Sequence, residues 1–135
     1  MDCSTIGKLS EWGPGNDNQA SLAEAQAYCR SLTLGHYENF SVLSRIVPDH
    51  MRDGVSAVYA FCRWADDLAD ESPDPETAKA RLGWWRDELN RCMNGEASHP
   101  VFVALREVND HNNLPPEPFH HLIDAFESDQ NQNQW

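Results

Sequence analysis

The apolar residues of this chain recur at intervals of three and four, and no stretch alternates with the two-residue period of a strand. Leu82, Trp85, Leu89 and Cys92 are the plainest case, falling on one face of a helix that turns every 3.6 residues. That periodicity predicts an all-α fold, and the punctuation between blocks divides it. Ser21 followed by Glu24 is a capping box that opens a helix to about Ser31. A short second helical segment is expected over His36 to Ile46, broken by Pro48. Asp49 then caps a long third helix running to about Asp70. Its apolar residues, among them Val55, Val58, Phe61, Cys62 and Leu68, are too continuous for one narrow stripe, so this helix should be packed on most sides. Asp74 is placed to cap a fourth helix with Pro75 in its first position, and Gly95 ends it. A fifth is expected over about Pro100 to Asp110, and a sixth from near Pro116. Residues 1–20 read as a loose tail and residues 21–135 as one helical unit.

The 135 residues carry 22 acidic and 10 basic side chains, a formal charge of −12. A surface so acidic repels phosphate backbones, which excludes nucleic acid as a partner. The composition, 40% apolar and 24% charged, is that of a folded chain and not of a disordered one. The longest mainly apolar run, Val55 to Cys62, falls far short of the ~20 residues a membrane-spanning helix needs. Peripheral contact with a membrane stays compatible with it. Residues 1–20 lack the apolar core of a secretory signal. Cys3, Cys29, Cys62 and Cys92 form no CxxC pair and no zinc-type spacing. Three of them fall in predicted helices, which points to buried free thiols in a reducing, cytoplasmic setting.

The chemistry-bearing stretch is Arg63-Trp64-Ala65-Asp66-Asp67-Leu68-Ala69-Asp70-Glu71. At about 100° per residue, Asp66 and Asp70 project from one helix face a single turn apart, with Tyr59 and Arg63 on the same stripe. Like charges at this spacing repel by a few tenths of a kcal/mol, which a bound cation relieves. Magnesium often takes one or two carboxylates together with substrate phosphates, and arginine adds forked hydrogen bonds to a phosphate. Two plainer readings stand beside this one. An acidic run at a helix end is more often a solvated face, and Asp67 can simply pair with Arg63 at i,i+4. A calcium loop is excluded, because no glycine occupies its sixth position. Upstream, His36, Asn39 and Phe40 share a face by the i, i+3, i+4 rule; two can donate to a phosphate and the third can line an apolar pocket.

These blocks in this order, His36-Tyr37-Glu38-Asn39-Phe40-Ser41, then Pro48, then Tyr59-Ala60-Phe61-Cys62-Arg63, then Asp66-Asp67-Leu68-Ala69-Asp70-Glu71, resemble the squalene/phytoene synthase family. The resemblance runs from about Ala27 to Gln130, and the first block is most similar to the hydroxysqualene synthase branch of hopanoid biosynthesis. It implies an isoprenoid synthase helical fold with a central cavity, Mg²⁺, and a prenyl diphosphate substrate, either presqualene or farnesyl diphosphate. It implies Asp66 and Asp70 as metal ligands, with Asp67 as a further candidate. Asp129, in the block Leu122 to Gln130, is another. It puts Arg63, His36 and Asn39 on the diphosphate, Phe40 and Tyr59 along the prenyl chain, and Tyr59 and Arg63 nearest the reaction.

The family also carries a second aspartate-rich motif beyond the first. Nothing here supplies it, since Asp87 and Glu88 are adjacent and come too early. The expectation is an N-terminal part of such an enzyme, holding half a metal site and an incomplete cavity, and inactive alone. The implied reaction is ionisation of presqualene diphosphate with water capture to give hydroxysqualene. Head-to-head condensation of two prenyl diphosphates is the alternative within the class. A non-catalytic helical partner module is the alternative outside it, and should show a damaged aspartate motif where this one is intact. The sequence leaves prenyl chain length and oligomeric state open.

Overall fold

The computed structural model describes residues 6–15, 18–36, 49–112 and 115–132. A 3₁₀ turn, Ile6–Lys8, leads into a single helical turn α1, Leu9–Trp12. Five longer helices follow among the described residues: α2 (Leu22–His36), α3 (Asp49–Asp70), α4 (Pro75–Met93), α5 (Pro100–Asn112) and α6 (Glu117–Gln132). The described residues contain no strand, and the fold is all-α as the periodicity requires. None of these helices is long and apolar enough to cross a membrane.

Local chemistry sets most of the boundaries. Ser21 and Glu24 form a reciprocal capping box: Glu24 N–H donates to Ser21 Oγ at 3.2 Å, and Ser21 N–H to Glu24 Oε1 at 3.3 Å. Replacing Ser21 with alanine is expected to lower stability by about 1 kcal/mol, read as a shift of the urea midpoint at constant m. Asp74 accepts from Thr77 N–H at 2.7 Å, with Pro75 as the first residue of α4. At the other end Gly95 takes φ +89°. Glu96 N–H bonds to Arg91 O at 2.8 Å and Gly95 N–H to Cys92 O at 3.1 Å, a Schellman closure that glycine makes without strain.

Two boundaries differ from the sequence reading. Helix α2 runs past Ser31 to His36, because Leu32 and Thr33 are both buried. The Thr33 hydroxyl donates to Cys29 O at 2.8 Å, so a polar residue continues the helix with its hydrogen bond satisfied. Within the stretch read as a loose tail, Trp12 packs on the core with its ring 6.3 Å from that of His99, and Ala20 N–H bonds to Ser98 O at 3.0 Å. The segment expected as a helix over His36 to Ile46 lies outside the described residues except for His36, which closes α2.

Helix α3 is the hub, in contact with α2, α4, α5 and α6, which bears out its continuous apolar content. One face buries Ala57, Phe61, Trp64, Ala65 and Leu68. Trp64 stacks on Trp85 of α4 with centroids 5.2 Å apart and planes 6° from parallel. Phe61 meets Phe102 of α5 and Phe119 of α6 edge-on at 5.8 and 5.0 Å. On the flank, Arg86 of α4 clamps α6, reaching Asp124 Oδ1 at 2.5 Å and Glu127 Oε1 at 2.6 Å. The thiols of Cys29, Cys62 and Cys92 are free. Burial raises all three pKa values, Cys29 to about 12 and Cys92 to about 11, so these thiols stay protonated and unreactive at neutral pH.

Candidate functional site

The core face of α3 has an opposite. At about 100° per residue, Tyr59, Arg63, Asp66 and Asp70 line a stripe roughly half a turn from Phe61, Trp64 and Leu68. The aromatic core therefore fixes the helix in rotation and turns this stripe away from it. Tyr59, Arg63 and Asp66 are half-buried, Asp67 is buried, and Asp70 is exposed.

Asp66 and Asp70 meet. Burial is the largest cause of a raised Asp66 pKa, followed by a side-chain hydrogen bond with Asp70 and then the charges of Asp70 and Asp67; Arg63 opposes them. Two carboxylates this close repel each other as anions, and a cation between them would relieve that repulsion. Tyr59 belongs to the same electrostatic group. Burial raises its phenol pKa most, Arg63 lowers it, and Asp67 and Asp66 raise it.

Asp67 takes a different part from its neighbours. Its Oδ2 lies 3.2 Å from Arg63 Nε, with the arginine side chain 31% and the aspartate side chain 7% exposed. The Nε–H is not aligned on that oxygen, so the contact is an ion pair and not a directed hydrogen bond. The i,i+4 pairing weighed for the sequence is thus formed. Asp66 and Asp70 remain the two carboxylates that face each other.

The turn bearing these aspartates is also the last turn of α3, whose final carbonyls have no partner within the helix. Three of them, those of Asp67, Leu68 and Ala69, are met by donors beyond the helix or on another one. Glu71 N–H donates to Asp67 O at 2.8 Å. Ser72 Oγ donates to Leu68 O at 2.6 Å, and Arg81 Nη1 of α4 donates to Ser72 Oγ at 3.0 Å. Gln130 of α6, itself buried, donates from Nε2 to Ala69 O at 3.1 Å. Sequence reasoning missed Ser72, Arg81 and Gln130. Ser72 had a local signal, as a hydroxyl just past a helix end. Gln130 stands at the end of the block Leu122 to Gln130, but nothing local marks an amide there as the partner of a carbonyl 61 residues earlier.

Of the other candidates, Asp129 is exposed on α6 next to Gln130, which brings it to the same end of α3. His36 ends α2, but its side chain lies outside the described residues, as do Asn39 and Phe40 altogether. Among the described residues no group of three or more His, Cys, Asp or Glu side chains is arranged to hold a metal ion. The donor set at Asp66 and Asp70 is two hard oxygen ligands. That fits magnesium, which completes its octahedron with water and substrate phosphate, and does not fit a metal needing an all-protein cage.

Comparison with known proteins places the chain in a family. The squalene/phytoene synthase family model matches residues 33–134, and the chain belongs to that family. It is 31% identical over 116 residues to a 15-cis-phytoene synthase of Synechococcus elongatus, covering 86% of this chain and 38% of that protein. It is 34% identical over 91 residues to a presqualene diphosphate synthase of Rhodopseudomonas palustris, covering 67% and 32%. A crystal structure of the squalene synthase HpnC from Alicyclobacillus acidocaldarius superposes with a TM-score of 0.73 at 47% identity, over 81% of this chain and 41% of that one. The chain thus spans about a third of the length of the curated relatives it matches.

Proposed function

We propose that this chain carries the diphosphate-holding half of a prenyl diphosphate synthase site of squalene and hopanoid biosynthesis, acting through Mg²⁺. The observation that carries the reading is the joined Asp66–Asp70 pair on the stripe of α3 that also presents Arg63 and Tyr59. Family membership and the 47% identity to a squalene synthase supply the substrate class.

Each side chain has a part. Asp66 and Asp70 would hold the magnesium ion, which supplies charge neutralisation to a departing diphosphate. Arg63 sits one turn before Asp66 to meet the diphosphate oxygens, and Asp67 keeps its guanidinium oriented. Tyr59, with its phenol held protonated, borders the prenyl chain beside the leaving group. His36, Asn39 and Phe40 are proposed to complete the diphosphate contacts and the apolar wall. The favoured reaction ionises presqualene diphosphate and lets water capture the cation, giving hydroxysqualene. Head-to-head condensation of two prenyl diphosphates is the second reading, favoured by relatives named as presqualene diphosphate and phytoene synthases.

The 135-residue chain has one aspartate-rich motif, so it is expected to bind Mg²⁺–diphosphate without turning substrate over. Thermal melting with Mg²⁺ and inorganic pyrophosphate tests the binding. A dose-dependent rise of the midpoint, abolished in Asp66→Asn, is the expected result. Equal rises in both proteins would exclude the site. Measurable turnover of presqualene or farnesyl diphosphate by the purified chain would overturn the expected inactivity.

A further inference from the structure

The carbonyls at the end of α3 are tied by donors that the reaction chemistry does not require. Ser72 Oγ, held by Arg81 of α4, satisfies Leu68 O, and buried Gln130 of α6 satisfies Ala69 O. These two oxygens lie on the backbone between Asp66 and Asp70, and Ala69 directly precedes Asp70. A free last turn frays, and fraying separates two carboxylates that must close on one ion. Fixing the turn from two directions would keep the two carboxylates close together before a cation arrives, leaving less ordering to oppose binding.

We infer that Gln130 is a positioning residue for the aspartate pair, acting through Ala69 O, and that the Arg81–Ser72 relay does the same through Leu68 O. The inference rests on the metal reading of Asp66 and Asp70 given above. It gives the end of α6, where Asp129 was already a candidate ligand, a second part in cation binding through the neighbouring amide. Neither Gln130 nor Ser72 touches the ion. Their loss acts on the geometry of the turn, and so on affinity, more than on global stability.

The test uses Mn²⁺ as the probe, with the free ion followed by electron paramagnetic resonance in the presence of inorganic pyrophosphate, far below each variant's melting temperature. Gln130→Met keeps the length of the side chain and removes its donor. Ser72→Ala removes the other tie, and stands in should the buried Gln130 site fail to tolerate methionine. Ser21→Ala is the control, since it weakens the remote cap of α2 and leaves this turn alone. The expected result is an increase in Mn²⁺ dissociation constant of threefold or more for Gln130→Met and for Ser72→Ala, and none for Ser21→Ala. Wild-type affinity in both tie variants, or an equal loss in Ser21→Ala, overturns the positioning role and leaves the metal site standing. Mn²⁺ binding that survives unchanged in Asp66→Asn overturns the metal site itself, and the positioning role with it.

Discussion

Replacing Trp64 with alanine is expected to remove about 3–5 kcal/mol of stability, a large share of the 5–15 kcal/mol a domain of this size commonly has. Trp64 is fully buried at the crossing of α2, α3 and α4. Its indole N–H donates to the Tyr28 hydroxyl of α2 at 2.9 Å. Its face stacks on Trp85, and the His99 ring meets it edge-on at 4.5 Å. Truncation opens a cavity whose walls cannot collapse, because Trp85 is itself held against Phe102 at 4.5 Å and Phe61 at 5.7 Å. Trp64→Phe keeps a ring against Trp85 and loses the N–H, so its cost should be smaller. Urea unfolding at constant m measures both. A loss below about 1 kcal/mol for Trp64→Ala would show that the stack contributes no more than an ordinary surface contact. The same loss would reach the site, since the Trp64 face of α3 sets the rotation of the opposite stripe.

The second large effect is acid sensitivity arising from His99. The ring is 2% exposed and lies among Trp12, Trp64, Trp84, Trp85 and Phe102. Its Nδ1 accepts the Val101 N–H at 3.1 Å, which caps α5 and leaves the ring proton of the neutral form on Nε2. Burial pushes the pKa down from 6.5 to about 3. The unfolded chain therefore binds a proton that the folded chain refuses throughout this interval. The stability tied to a neutral His99 is fully present above pH 6.5 and is lost as pH falls toward 3. At about 1.4 kcal/mol per pH unit, the loss reaches about 2 kcal/mol by pH 5. His99→Asn keeps an acceptor for Val101 N–H but cannot titrate. It costs packing at pH 7, and the gap to wild type is expected to close by about 2 kcal/mol at pH 5. Parallel pH profiles for the two proteins would remove His99 as the cause. Nothing in the sequence marked this residue, because a histidine between a serine and a proline reads as loop.

What the chain determined by itself is what depends on neighbours three and four residues away. The capping box at Ser21, the Asp74-Pro75 start, the Gly95 stop and the stripe Tyr59–Arg63–Asp66–Asp70 are all relations within one or two helical turns. Backbone geometry fixes such relations wherever the helix forms. The family resemblance drew on the same local blocks, and the family match includes them. The tertiary structure alone decided which distant side chains tie the last turn of α3 and that His99 is sealed among indoles. Gln130 and Ala69 are 61 residues apart, and no periodicity encodes such a pairing. It follows from packing α6 across α3, where the buried amide of Gln130 satisfies a carbonyl that the end of the helix leaves without an internal partner.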